Sequence, residues 1–199
     1  MVGELTPLQQ QRRDSILDAA VAAFSKVRYH HVEVEAIAKE AGVGKGTIYR
    51  YFKNKHDLYT STIEHQFKIM FEFIDTSTAE TDSPMQFIKS LIDAFIMFFE
   101  KNPNAFDIVI LASGTIVDEV IISIRNIRNE YYKKFLKIIQ QGIDEKLFKN
   151  MNKHIILRAI DASVIYVMYD QMKTSSFTID EIKENLYNLF LNGLLLKSE

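Results

Sequence analysis

Residues 34–52 read VEAIAKEAGVGKGTIYRYF, and the spacing of their apolar side chains predicts two short helices around a tight turn. Val34, Ile37, Ala38 and Ala41 return to one face of the first helix, and Ile48 with Phe52 begins the stripe of the second. Gly42 lies between them, where glycine can take the left-handed conformation that ends a helix. Val43 then plugs the angle, and Ala38 is small where the helices must approach. This pattern is a helix-turn-helix. Its second helix carries Gly44, Lys45, Gly46 and Thr47 at the N-terminal end, where outward main-chain N–H groups and the helix dipole favour phosphate. Tyr49, Arg50 and Tyr51 follow on the same helix.

The charge around this segment is one-sided. Between Gly44 and Lys55 stand four basic residues, Lys45, Arg50, Lys53 and Lys55, and no acidic one, although the whole chain has a formal net charge of -2. Affinity for a polyanion follows the local distribution of charge, so the net value does not count against a nucleic-acid partner. A nucleotide-binding phosphate loop is excluded, because Lys39 stands where that loop needs its first glycine and no strand precedes it.

Helix-period patterning extends outward almost to both ends. Thr6, Pro7 and Gln9 supply a cap, a first-turn proline and a capping-box partner for a helix reaching about Val27, with Ile16, Leu17, Ala20 and Phe24 as its buried stripe. Similar start signals occur at Ser83-Pro84-Met85-Gln86 and Thr178-Ile179-Asp180-Glu181. Further helices are expected at Val34–Ala41, Lys45–Tyr51, Lys55–Thr76, Pro84–Lys101, Asn104–Ser113, Val117–Glu145, Lys153–Lys173 and Ile179–Lys197, with a polar break at Ser77–Asp82. The expected fold is therefore all-α, with about nine helices. A three-helix head over residues 1–54 precedes a larger helical domain over 55–199, and the helix from Lys55 leaves the head to couple the two. Seven glycines and three prolines leave little material for turns, and 47% apolar with 25% charged residues is ordinary globular composition. Met1 to Asp14 holds no apolar run resembling a signal peptide, and no uninterrupted apolar stretch reaches membrane-spanning length. A cytoplasmic protein without membrane association is expected.

The run from Ile16 to Leu58, with ILDAAVAAF, AIAKEAGVGKGTIYRYFKNKHDL and the spacing between them, resembles the DNA-binding head of the TetR family. The terminal NLYNLFLNGLLLK is similar in pattern to that family's dimerisation region. The resemblance implies a ligand-responsive, DNA-binding transcriptional regulator, a repressor rather than an activator, acting as a homodimer on double-stranded DNA with a small-molecule effector. Matched by position, it places Lys45, Thr47, Tyr49, Arg50 and Tyr51 on the recognition helix, with Gly44 and Gly46 offering main-chain donors. It places Lys55 on a phosphate at the start of the next helix, where Asn54 caps and Asp57 is third, and Arg13 on the flanking backbone. Three positions depart from the family pattern. Glu33 replaces the capping threonine or serine, Gly44 replaces a common serine, and Arg28 stands where a turn glycine is common.

The second domain is rich in large soft side chains. The helices that border the central cavity in TetR-like folds would carry Phe67, Phe71, Phe95, Phe99, Phe106, Ile110, Tyr166, Tyr169 and Met172, which implies an apolar or aromatic effector. Asp107, Asp161 and Asp170 interrupt apolar stretches and are expected to be solvated or capping, with orientation of a polar group on the effector as the alternative. The last two helices carry a surplus of apolar positions, Ile160, Val164, Val167, Leu186, Leu189, Phe190, Gly193 and Leu194, expected to form a two-fold four-helix interface. Such a dimer would set two recognition helices about 34 Å apart on a near-palindromic operator. The five histidines (His30, His31, His56, His65, His154) show no metal-ligand spacing, cysteine is absent, and no nucleophile motif is present, so no metal, cofactor or catalytic residue is assigned. Two rivals stand behind the regulator. One is a helical small-molecule carrier whose head has lost DNA binding, with Glu33 as its mark; the other is a helical enzyme.

Overall fold

Capping chemistry decides where the helices begin. The Thr6 hydroxyl accepts from the Gln9 amide at 3.3 Å while the Gln9 side chain accepts from the Thr6 amide at 2.8 Å. Thr178 and Glu181 repeat the exchange at 3.2 and 2.8 Å, and the Ser83 hydroxyl accepts from the Gln86 amide at 3.2 Å. Each exchange satisfies N–H groups that have no partner inside their helix.

The computed structural model describes residues 5–27, 29–81, 83–114 and 118–195, with the side chains of 110–121 left aside. Among these residues there are nine α-helices and no strand. They are α1 (Pro7–Lys26), α2 (Val34–Glu40), α3 (Lys45–Tyr51), α4 (Lys55–Ser77), α5 (Pro84–Lys101), α6 (Pro103–Gly114), α7 (Asp118–Asp144), α8 (Lys153–Thr174) and α9 (Ile179–Leu194), with one 3₁₀ turn at Tyr29–His31. The all-α expectation is met. Arg28 and the last residues of the chain, including Lys197, lie outside the described residues.

The chain divides into two compact units. The first comprises Met1–Lys68 with Asn104–Ile124, the second Ile69–Pro103 with Arg125–Glu199. In the first, Ile16, Leu17, Ala20 and Phe24 of α1 meet Val34, Ile37 and Ala38 of α2, Ile48 of α3 and Phe52. Leu58, Ile63, Ile108 and Ile124 complete that core, so this packing unit is larger than the segment 1–54 expected to bind DNA. In the second unit α5 is buried almost all round through Phe87, Leu91, Ile92, Phe95, Phe98 and Phe99, as its apolar sequence requires. It packs on α8 and α9.

The end of α9 departs from expectation. The helix was expected to reach Lys197 but ends at Leu194, and Leu195 is extended and bridges Phe148. The physical reason is competition for carbonyls. The Lys149 amide donates to Leu194 O at 2.7 Å and the Lys149 ammonium to Gly193 O at 2.8 Å, which satisfies the helix end from outside. Phe148 is seated against Gly142, where a Cβ would come within 2.5 Å of its ring.

Candidate nucleic-acid interface

The turn of the helix-turn-helix is built from main-chain bonds. The Ala41 amide donates to Ile37 O at 2.9 Å and the Val43 amide to Ala38 O at 2.9 Å, with Gly42 at φ +64° between them. Only glycine takes this conformation without strain, so α2 stops here and the chain turns into α3. Val43 packs partly buried on the core of the first unit, as expected of the residue that plugs the angle.

Ile48 and Phe52 anchor α3 to that core. The helix is short, and its opposite face is therefore fixed outward with Lys45, Gly46, Tyr49 and Arg50 exposed. Tyr49 is 43% exposed, which places its ring outside the core. Thr47 and Tyr51 are half-buried, and Tyr51 packs against the core, so it presents less to solvent than its neighbours. The start of α4 is clamped beside this face. The Asn54 side chain accepts from the Asp57 amide at 2.9 Å, and the Asp57 carboxylate accepts from the Lys53 amide at 2.7 Å.

The expected cations are positioned by intramolecular partners. Arg13 lies with its guanidinium 5.3 Å from the centre of the Phe52 ring. The Lys55 ammonium donates to His30 O at 3.2 Å and sits 4.8 Å over the Tyr29 ring. Tyr29 itself is held in an aromatic cluster, 5.0 Å from Tyr59, which in turn lies 4.9 Å from Phe24. Lys45 pairs with Glu35 across the turn. That hydrogen bond, before all other causes, holds the Glu35 carboxyl below its ordinary range and raises the Lys45 ammonium above its own. Glu33, which precedes α2, makes no side-chain cap.

Arg12, which the sequence pattern did not single out, is a further candidate. With Leu8, Gln11 and Ser15 of α1 it lines a groove of about 460 Å³ whose other wall is Ala41, Gly42, Val43, Gly44 and Thr47. The signal was the row 8, 12, 15 at helical spacing, one step around α1 from the buried stripe.

Burial sorts the expected effector and dimer residues differently. Phe71, Phe95, Phe99 and Phe106 are buried, Phe67 and Met172 are half-buried, and the Ile110 side chain lies outside those described. Tyr166 and Tyr169 are corrected: at 73% and 37% exposed they stand on the outside of α8 instead of lining an interior. Of the expected dimer residues, Ile160, Val164, Leu186 and Leu194 are buried within their own unit and cannot be offered to a partner. Val167 and Phe190 are half-buried, while Leu189 and Gly193 are exposed. The outward row on α8 is Ile155, Ala159, Ala162, Tyr166 and Tyr169. It lies roughly 170° around the helix from the buried row Ile156, Leu157, Ile160, Val164 and Met168, on the opposite face.

Asp161 is half-buried and its carboxylate accepts from the Tyr132 hydroxyl, so it is not simply a solvated surface acid. Burial pushes its carboxyl upward, opposed by the bond from Tyr132 and by Arg128 and Arg158. Among the described residues no three His, Asp or Glu side chains gather to hold a metal ion, and no helix is long and apolar enough to cross a membrane.

Residues 16–62 match the family model of bacterial regulatory proteins of the tetR family. The fatty acid metabolism regulator protein of Bacillus subtilis is 28% identical over 189 residues, 90% of this chain and 93% of that protein. The transcriptional repressor KstR of Mycobacterium tuberculosis is 34% identical over 95 residues, 48% of this chain and 43% of its own length. Among solved structures, the transcriptional regulator FadR of Bacillus subtilis in complex with stearoyl-CoA superposes with a TM-score of 0.78 at 23% identity, covering 90% of this chain and 98% of that one. FadR of Bacillus halodurans, a fatty acid degradation regulator, superposes with a TM-score of 0.78 at 21% identity over 95% and 97%.

Proposed function

Because the chain belongs to the TetR family of bacterial regulatory proteins, we propose that it is a ligand-responsive repressor that binds a near-palindromic DNA operator as a homodimer. A small apolar effector releases it. The observation that carries this reading is the outward face of α3, where Lys45, Gly46, Tyr49 and Arg50 are exposed on a helix fixed from behind by Ile48 and Phe52. An arginine so placed can read guanine with two parallel hydrogen bonds in the major groove, which a short exposed helix can enter. Lys53, Lys55, Arg13 and Arg12 flank it as phosphate partners.

Dimerisation through α8 and α9 is supported by the row Ile155, Ala159, Ala162, Tyr166 and Tyr169 with Leu189 and Gly193. These residues leave apolar surface uncovered within their unit. The effector class follows from two considerations. The second unit is built around phenylalanines, among them Phe71, Phe87, Phe95 and Phe99, and the similar Bacillus subtilis proteins are named for fatty acid metabolism and for a complex with stearoyl-CoA. A long-chain acyl thioester is therefore the first effector to test, with DNA reading assigned to residues 1–54 and effector binding and dimerisation to 55–199, in the cytoplasm.

Selection from a random duplex pool is expected to enrich an inverted repeat. Affinity for it should fall steeply with salt, by about 0.9 in log–log slope for each phosphate contact. Recovery of nothing above background would leave the small-molecule carrier, with Glu33 as the residue to revert. Arg50→Ala is expected to weaken operator binding about tenfold, within the range of one bidentate base contact. Fluorescence anisotropy on the selected duplex measures it, and unchanged binding would remove Arg50 from the set that reads bases.

A further inference from the structure

Lys45 is the first residue of α3, yet its ammonium is already occupied. Glu35, in the first turn of α2, accepts a hydrogen bond from it across the turn. Both side chains are about half exposed, 47% for Lys45 and 58% for Glu35. A pair this exposed contributes little to stability. Its consequence lies in what it does to the charge of Lys45. A free lysine is a mobile point charge that binds any phosphate, and phosphate attraction supplies essentially all of the affinity for random sequence. A lysine that brings its own carboxylate releases no counterion on meeting a phosphate and carries an acid that the phosphate repels. It keeps its hydrogen-bonding capacity, because an ammonium has three donors and Glu35 uses one.

We propose that Glu35 is a specificity-determining residue: it converts Lys45 from a phosphate anchor into a fixed hydrogen-bond donor for a base edge, and so lowers affinity for random DNA while preserving affinity for the operator. The proposal rests on the DNA-binding reading given above. Its geometry is local to the turn, where Gly42 and the bonds from Ala41 and Val43 hold the first turn of α3 beside α2. The partners are ten residues apart in sequence, and only the helix-turn-helix brings them together.

The test compares the full-length wild type with Glu35→Gln on two duplexes of equal length, the selected operator and a random sequence, by anisotropy across a salt series. Glu35→Gln is expected to bind the random duplex more tightly, with a log–log salt slope steeper by about 0.9, as for one added phosphate contact. Over roughly 50 to 200 mM salt that slope makes the gain about 3.5-fold larger at the low end. Operator affinity is expected to stay level or fall, so the ratio of operator to random affinity declines. In a Lys45→Gln background the same substitution is expected to have no such effect, since the group it released is gone. Unchanged slope and affinity on the random duplex would overturn the proposal. So would equal gains on both duplexes, which would make Glu35 a general repellent without a role in discrimination. A wild type that binds neither duplex at any salt would sink the DNA-binding reading itself, and this inference with it. Both side chains are exposed, so helix content and melting temperature serve as the control for folding.

Discussion

Ala162→Glu is expected to yield a folded monomer whose affinity for the selected operator is at least about 100-fold below that of the wild type, the scale lost when two linked sites are uncoupled. Ala162 is exposed on α8, in line with Ile155, Ala159, Tyr166 and Tyr169. Within one chain a glutamate there meets water and is a good helix former, so the protomer should keep its helix content. In a two-fold interface the substitution acts twice, because the same face is presented by both copies, and each copy then brings an unpaired carboxylate into an apolar contact. Without that contact the two recognition helices no longer bind as one ligand. Light scattering reads the mass, circular dichroism the fold, and anisotropy the operator affinity. A variant that remains dimeric would place the interface elsewhere. Leu194→Glu, the substitution that the apolar pattern of the last helix would suggest, is a poor test. Leu194 is 3% exposed, so a charge there would unfold the protomer before it reported on a partner.

The contrast between Ala162 and Leu194 marks what can be read from a sequence of this kind. Local chemistry was legible. The bounds of α3 at Lys45–Tyr51, the left-handed turn at Gly42 and the capping at Thr6, Ser83 and Thr178 each depend on residues within one or two helical turns of one another. The phase of α8 was not legible, because apolar residues occupy both its sides. Ile156, Leu157, Ile160, Val164 and Met168 face inward, while Ile155, Ala159, Ala162, Tyr166 and Tyr169 face outward. Periodicity alone cannot choose between two apolar faces; the choice is made by α5, which lies far away in the chain. The same holds for the end of α9, where the leucine run reads as helix but Lys149 takes the final carbonyls. The expected effector residues divide for a related reason. Phe67 and Phe106 belong to one compact unit and Phe71, Phe95 and Phe99 to the other, a partition set by packing and not by sequence order. Two polar pairs were hidden by distance along the chain. Glu35 and Lys45 meet only once the turn is built, and Asp161 finds Tyr132 from a position 29 residues away.

Tyr132→Phe tests that second pair through the pH dependence of stability. Tyr132 is 4% exposed and its hydroxyl donates to Asp161, so the phenylalanine variant keeps the ring and strips a half-buried carboxylate of a donor. A hydrogen bond to a charged group places the expected loss at about 2 kcal/mol near neutral pH. The sign of its pH dependence follows from the state of Asp161. Burial raises the carboxyl above its unfolded value, so this group's contribution is fully favourable below the unfolded carboxylate range and declines as pH rises through the folded value. The bond from Tyr132 favours the ionised form and opposes that rise. Removing it sends the folded value higher still, and the variant must then bear a worse-solvated charge wherever Asp161 is ionised. The loss measured by urea unfolding is therefore expected to be larger at neutral pH than near pH ~4, around the unfolded carboxylate value, where protonation relieves both proteins. In an Asp161→Asn background, with no charge left to solvate, the cost of Tyr132→Phe is expected to be flat with pH. An equal loss at both pH values in the native Asp161 background would mean that the hydroxyl acts through packing alone, and that Arg128 and Arg158 suffice to hold the carboxylate.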